Sequence, residues 1–125
     1  MTKRARETRH ILRTWYKALQ NPNEYWNKHN LKWLYTGLKN VSEEDRLLLA
    51  FHYLSDNGRP LTNAAAAEQK NMSVRDYNRM RKAAEMRLCA EVQPLIDADR
   101  LNPESKQEFI MDLFIKKASG KDGMR

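Results

Sequence analysis

Residues 62–82, TNAAAAEQKNMSVRDYNRMRK, constrain this chain more than any other stretch. Thr62 stands just ahead of four alanines, residues 64–67. Alanine is the strongest helix former, and a threonine in front of such a run offers its oxygen to the unpaired N–H groups of the first turn. Asn71 falls where the chain must leave that helix, and Asn tolerates the positive φ that other side chains avoid. Ser73 then serves as the cap of a second helix. Two helices joined by so short a turn cross closely. The small side chains at 64–67 permit the approach, and Met72 is placed to plug the gap. The prediction is helix, turn, helix, with residues 70–72 as the turn.

The rest of the chain reads as helical too. Strand signals are almost absent, because alternation and β-branched runs are missing, and the expected fold class is all-α. A first helix is predicted over residues 3–20, with Ile11, Leu12, Trp15, Tyr16 and Leu19 on its apolar face and Arg4, Arg6, Arg9, Arg13 and Lys17 on the other. Asn21 and Pro22 suggest a stop and a new cap, so a second helix is predicted over 22–38, rich in aromatics and softened near its end by Gly37. Ser42 followed by Glu43, Glu44 and Asp45 is a cap with an acidic first turn, which favours the positive end of the helix dipole. A third helix is expected over 43–54, burying Leu47, Leu48, Ala50, Phe51 and Leu54. Residues 55–60, SDNGRP, are turn-formers throughout. The long helix after Ser73 should reach Val92 or beyond, with Pro94 ending or kinking it. Asn102 and Pro103 start a last helix to about residue 117. The expected organisation is a basic, aromatic-rich segment at 1–40, the helix-turn-helix unit at 41–93, a C-terminal helix at 94–118 and a loose tail at 119–125.

Charge narrows the partners. The 125 residues carry a formal net charge of +7, which points to an anionic partner: nucleic acid first, then a membrane surface or an acidic protein. Residues 1–40 hold nine basic residues against two acidic ones, and residues 59–90 hold seven against three. The excess therefore sits on the N-terminal segment and on the stretch described first. No apolar run is long enough to cross a bilayer, and the basic N-terminus lacks the apolar core of a signal peptide. The single Cys89 cannot form an internal disulfide and fits a reducing cytoplasm. Its apolar helical setting predicts a small buried core residue.

The helix starting at Ser73 carries the chemistry. Tyr77, Met80, Ala84 and Leu88 share one face and are predicted to pack inward. Val74, Arg75, Asp76, Asn78, Arg79 and Lys82 are left pointing out. Such side chains suit reading of a DNA major groove. Arg75 and Arg79 can each grip a guanine or a phosphate, Asn78 can pair with adenine, Asp76 can accept from cytosine, and Val74 can touch a thymine methyl. Ser73 and Thr62, at helix starts, are placed for phosphate contacts. Arg81, Lys82 and Arg59 are expected on the DNA backbone, with Arg4, Arg6, Arg9 and Arg13 of the first helix beside them. The plainer reading is a helical hairpin with a solvated basic face, and a row of arginines such as that on the first helix is often no more than that.

EDRLLLAFHYL, LTNAAAAEQKNMS and VRDYNRMRKAAEMRL together resemble the DNA-binding fourth region of bacterial sigma-70-type factors. In that family a Leu-rich helix with an acidic start precedes a Thr-capped helix and a Ser- or Thr-capped recognition helix. The stretch is also similar to small phage late-transcription regulators of the ArpU/RinA type. It covers roughly a third of the chain, with Asn71 where that family usually has Gly. The resemblance implies a double-stranded DNA-binding transcriptional regulator encoded by a phage or mobile element, acting in the host cytoplasm. A complete sigma factor does not fit in this length.

Other readings carry less. Trp15, Trp26 and Trp33 with Tyr16, Tyr25 and Tyr35 could stack single-stranded bases, but their helical spacing suits a core. His10, His29, His52 and Cys89 show no metal-ligand spacing. There is no phosphate-binding loop, dinucleotide fingerprint, zinc-protease motif or nucleophile motif, so neither an enzyme nor a cofactor is expected. The rival to DNA binding is an adaptor or inhibitor that binds RNA polymerase or another acidic protein partner. The 103–117 helix is expected either to pack onto its own domain or to form a homodimer interface, the latter because one recognition helix covers few base pairs and dimers read two half-sites.

Overall fold

A computed structural model describes residues 3–101, with the backbone alone for Lys3 and Arg4. The described residues form six helices: α1 (Lys3–Arg13), α2 (Trp15–Gln20), α3 (Tyr25–Lys39), α4 (Glu43–Leu54), α5 (Asn63–Gln69) and α6 (Val74–Leu101). Among them the only β-type pairing is an isolated bridge between Asp56 and Arg59. The fold is all-α. By compactness the chain divides into residues Met1–Gln93 and Pro94–Arg125. The first unit holds α1 to α5 and α6 as far as Gln93. The predicted 103–117 helix and its dimer contact lie outside the described residues.

Helix starts obey the local caps. The Ser42 hydroxyl accepts from the Asp45 N–H at 3.1 Å, the Thr62 hydroxyl from Ala65 at 3.1 Å, and the Ser73 hydroxyl from Asp76 at 3.0 Å. Each satisfies one of the orphan donors of a first turn. Asn71 takes φ 54°, and the Met72 N–H closes back on the Ala67 carbonyl at 2.9 Å. Asn57 (φ 52°) and Gly58 (φ 93°) make the tight turn of residues 55–60. A Cβ on Gly58 would lie 2.9 Å from Tyr16.

Three boundaries differ from the sequence reading. The predicted 3–20 helix breaks at Thr14, whose hydroxyl bonds the His10 carbonyl at 2.9 Å. A threonine oxygen competing for a helical carbonyl loosens the turn that follows. Asn21 is the C-cap of α2 rather than the N-cap of α3. Glu24 holds that place, its carboxylate accepting from the Trp26 N–H at 3.0 Å, so the helix starts at Tyr25 instead of Pro22. Pro94 neither ends nor bounds α6, which continues through it to Leu101.

The core also differs in which faces it buries. Ile11, Leu12, Trp15 and Ala18 of α1 and α2 pack against α3 and α4, with Trp33, Leu34 and Leu38 inside. Leu19, expected inside, is exposed. On α4 the buried face is Asp45, Leu48, Leu49, His52 and Tyr53. That is the i, i+3, i+4, i+7, i+8 stripe of one helical face, while Leu47 is 64% exposed. Ala50, Phe51 and Leu54 are half-buried at the edge of that stripe. Cys89 is half-exposed rather than buried. Gly37 is a packing site and not a soft end: a Cβ there would meet Val92 Cγ2 at 2.5 Å and Leu88 Cδ1 at 3.3 Å. The missing side chain is what lets α3 and α6 approach.

Candidate nucleic-acid interface

α5 and α6 are joined by the turn at residues 70–73, and Ala66 and Ala67 of α5 are buried. Ala64 is exposed and Ala65 half-buried, so only two of the four alanines are buried. Beyond the turn, the first two turns of α6 present Val74 (49% exposed), Arg75, Asp76, Arg79 and Lys82 to solvent. Arg75, Arg79 and Lys82 follow one another at i, i+4, i+7 and form a single stripe. Thr62 and Ser73 are exposed, with their oxygens already serving as caps. Arg59, Arg6 and Arg13 are exposed as well, whereas the Arg4 side chain lies outside the described residues.

Three of the expected contact residues are engaged internally. Arg81 is only 10% exposed in its side chain and pairs with Glu85 one turn on. Its Nη2 also donates to Asn78 Oδ1 at 2.9 Å and its Nε to Asn63 Oδ1 at 3.3 Å. Arg9 donates from Nε and Nη2 to Glu85 Oε1, at 3.2 and 2.9 Å. Asn78, read as an outward base contact, is half-buried and accepts from both Arg81 and Asn63. The inward face of α6 is therefore Tyr77, Arg81, Ala84, Glu85, Leu88 and Val92. Met80 is half-buried at its margin. Arg81 turns inward because Glu85 waits four residues later, and a charge is buried only with its partner.

Glu85 is the centre of this cluster. The Tyr53 hydroxyl donates to its Oε2 at 2.5 Å, and both guanidiniums close on the same carboxylate. Burial pushes the Glu85 carboxyl up, but the hydrogen bonds from Tyr53 and Arg9 and the charge of Arg81 outweigh it, leaving it below its ordinary value. Burial raises the Tyr53 phenol, with the Glu85 hydrogen bond adding to it. Next to the cluster His52 Nδ1 lies 2.8 Å from the Tyr77 hydroxyl. Burial, followed by the charge of Arg81, lowers His52 to about 4, so the ring is neutral at neutral pH. A second ion pair joins α4 to α6: Arg87 grips Asp45 with both ends of its fork, at 2.6 and 2.9 Å. That hydrogen bonding draws the Asp45 carboxyl down. Asp45 is thus more than dipole-favouring charge on a first turn.

Sequence reasoning missed Glu85, Tyr53 and Asn63 as members of one network. The i, i+4 spacing of Arg81 and Glu85 is the one local signal that could have exposed part of it. The other contacts span 76 residues from Arg9 and 32 from Tyr53.

The chain matches no protein-family model, no curated protein and no solved structure. Among the described residues no group of three or more His, Cys, Asp or Glu side chains converges, and no helix is long and apolar enough to cross a membrane.

Proposed function

We propose that the chain is a sequence-specific, double-stranded DNA-binding transcriptional regulator with a helix-turn-helix of sigma region-four type, encoded by a phage or mobile element. In this reading it has no catalytic role. One observation carries it: the first two turns of α6, set off by the Asn71 turn, expose Val74, Arg75, Asp76 and Arg79 without an internal ion pair among the described residues. Exposed arginines four apart at the start of a helix are what a major-groove reader needs. Lys82, Arg59, Arg6 and Arg13 then hold the phosphates. Asn78 reads adenine only by giving up Arg81 and Asn63. A dimer would place two such helices on two half-sites.

Selection of bound duplexes from a random pool tests the reading. A defined motif is expected, and Arg75→Ala or Arg79→Ala should each lose about 1–3 kcal/mol at one base position. An unselected pool, or variants that bind the motif as tightly as the parent, would refute it.

The adaptor reading has one observation of its own. A groove of about 500 Å³ between α2, α3 and α4 is lined by Trp15, Tyr35, Leu38, Leu47 and Ala50, with Lys39 and Arg46 at its rim. An apolar floor with a basic rim suits an acidic, amphipathic protein segment. Leu47→Glu should then weaken binding to purified RNA polymerase and leave DNA affinity unchanged.

A further inference from the structure

A second cleft, of about 240 Å³, opens where α1, α4, α5 and α6 meet. Three guanidiniums line it: Arg9 and Arg13 from α1 and Arg81 from α6. None of its lining residues is acidic. The nearest compensating charge is Glu85 beneath it, which takes two of the three cations. Arg13 has no hydrogen bond or ion pair among the described residues. Arg9 binds Glu85 through Nε and Nη2, which leaves its Nη1 for another acceptor. The cleft therefore carries net positive charge in a partly enclosed setting, where screening by water and salt is weaker than on an open face. Its size is below the ~300 Å³ at which sites for drug-sized ligands begin, so the occupant is a group and not a whole cofactor.

We propose that this cleft is an oxyanion site for a phosphate group, held by Arg13 and the Nη1 end of Arg9, with Arg81 behind them. Guanidinium forks fit phosphate oxygens with two parallel hydrogen bonds, a geometry that a lysine cannot copy. The depression of His52 agrees with the site, since Arg81 and Arg9 both contribute to it after burial. Arg81 also ties the cleft to Asn78 on the outward-leading turn of α6, so occupancy bears on the position of that side chain. A phosphate of a DNA backbone and a free phosphorylated small molecule offer the same chemistry here. The site itself stands whether or not the chain reads DNA.

The test uses the full chain and inorganic phosphate. Thermal unfolding in phosphate is compared with sodium chloride at matched ionic strength, for the parent, Arg13→Ala and Arg13→Lys. Arg13 is exposed, so its variants should melt with the parent in chloride. Phosphate should raise the parent's melting temperature. Arg13→Ala should lower phosphate affinity by about tenfold or more, and Arg13→Lys should recover only part of it. A phosphate effect no larger than that of chloride, or one that survives in Arg13→Ala, overturns the proposal. The source follows from the salt dependence of duplex binding. If the site takes a backbone phosphate, Arg13→Ala reduces the slope of log K against log salt by about one. If phosphate binding is lost while that slope is unchanged, the occupant is a free phosphorylated molecule. Either slope keeps the site. Failure to select any duplex would sink the DNA reading alone.

Discussion

Glu85 concentrates the energetics of the first unit in one side chain. Two arginines and a tyrosine hydroxyl converge on it, and it is only 8% exposed in its side chain. Replacing it removes the negative partner that two largely inward cations share. Glu85→Gln should therefore lose about 3–5 kcal/mol in urea unfolding, the range for breaking a buried pair from one side. Tyr53→Phe should lose only about 1 kcal/mol, because both guanidiniums still serve the carboxylate. Equal losses in the two variants would show that charge balance is not what the cluster supplies. Gly37 is the other residue with an outsized role. Gly37→Ala forces a methyl onto Val92 Cγ2 and should lose about 1–3 kcal/mol by overpacking. Val92→Ala in the same chain should recover part of that loss, and a double-mutant cycle measures the coupling.

At the scale of elements, the turn between α5 and α6 rests on Asn71 at φ 54°. Glycine holds that conformation without strain and a β-branched side chain does not. Asn71→Gly should be neutral within a few tenths of a kcal/mol, and Asn71→Val should lose about 1–2 kcal/mol. Thermal melts of the two variants check this. An equal response would mean that the turn relaxes to negative φ. The starts of α4, α5 and α6 were readable from sequence because Ser42, Thr62 and Ser73 act on N–H groups two or three residues away. The start of α3 was not, since Asn21, Pro22 and Glu24 all offer cap chemistry within four residues and Glu24 prevails. Of the two outcomes its position predicts, an end or a kink, Pro94 does not give the end. Proline excludes one helical hydrogen bond, a loss that a 28-residue helix can absorb. The buried face of α4 was misread because hydropathy favours Leu47 over Asp45, His52 and Tyr53. Those three are buried only because α6 brings Arg87, Tyr77 and Glu85 to meet them.

For the molecule as a whole, these buried groups set the pH dependence of stability. His52 has an ordinary pKa of 6.5 and about 4 when folded, so between those values the unfolded chain binds more protons than the folded one. Stability from this residue is complete above pH 6.5 and lost as pH falls toward 4, by at most about 3 kcal/mol. Asp45 and Glu85, both lowered on folding, are stabilising above their ordinary values of 3.8 and 4.5, and that contribution is lost at more acid pH. Tyr77 is raised by burial from 10.0 to about 12, which removes stability as pH rises above 10. Urea unfolding from pH 4 to 8 should show a slope between 4 and 6.5 that flattens in His52→Gln. An unchanged slope would assign it elsewhere. The all-α class, the basic surface, the three hydroxyl caps and the Asn71 turn were determined along the chain itself, because each rests on composition or on contacts within a few residues. The tertiary structure alone decided that Arg9 faces inward, that Asn63 meets Asn78, that Gly37 is a packing site and that Leu47 is exposed, whereas Arg81 has its charge partner four residues on in the same helix. A charge or a glycine is buried only where a partner makes burial favourable, and for Arg9 that partner lies 76 residues away.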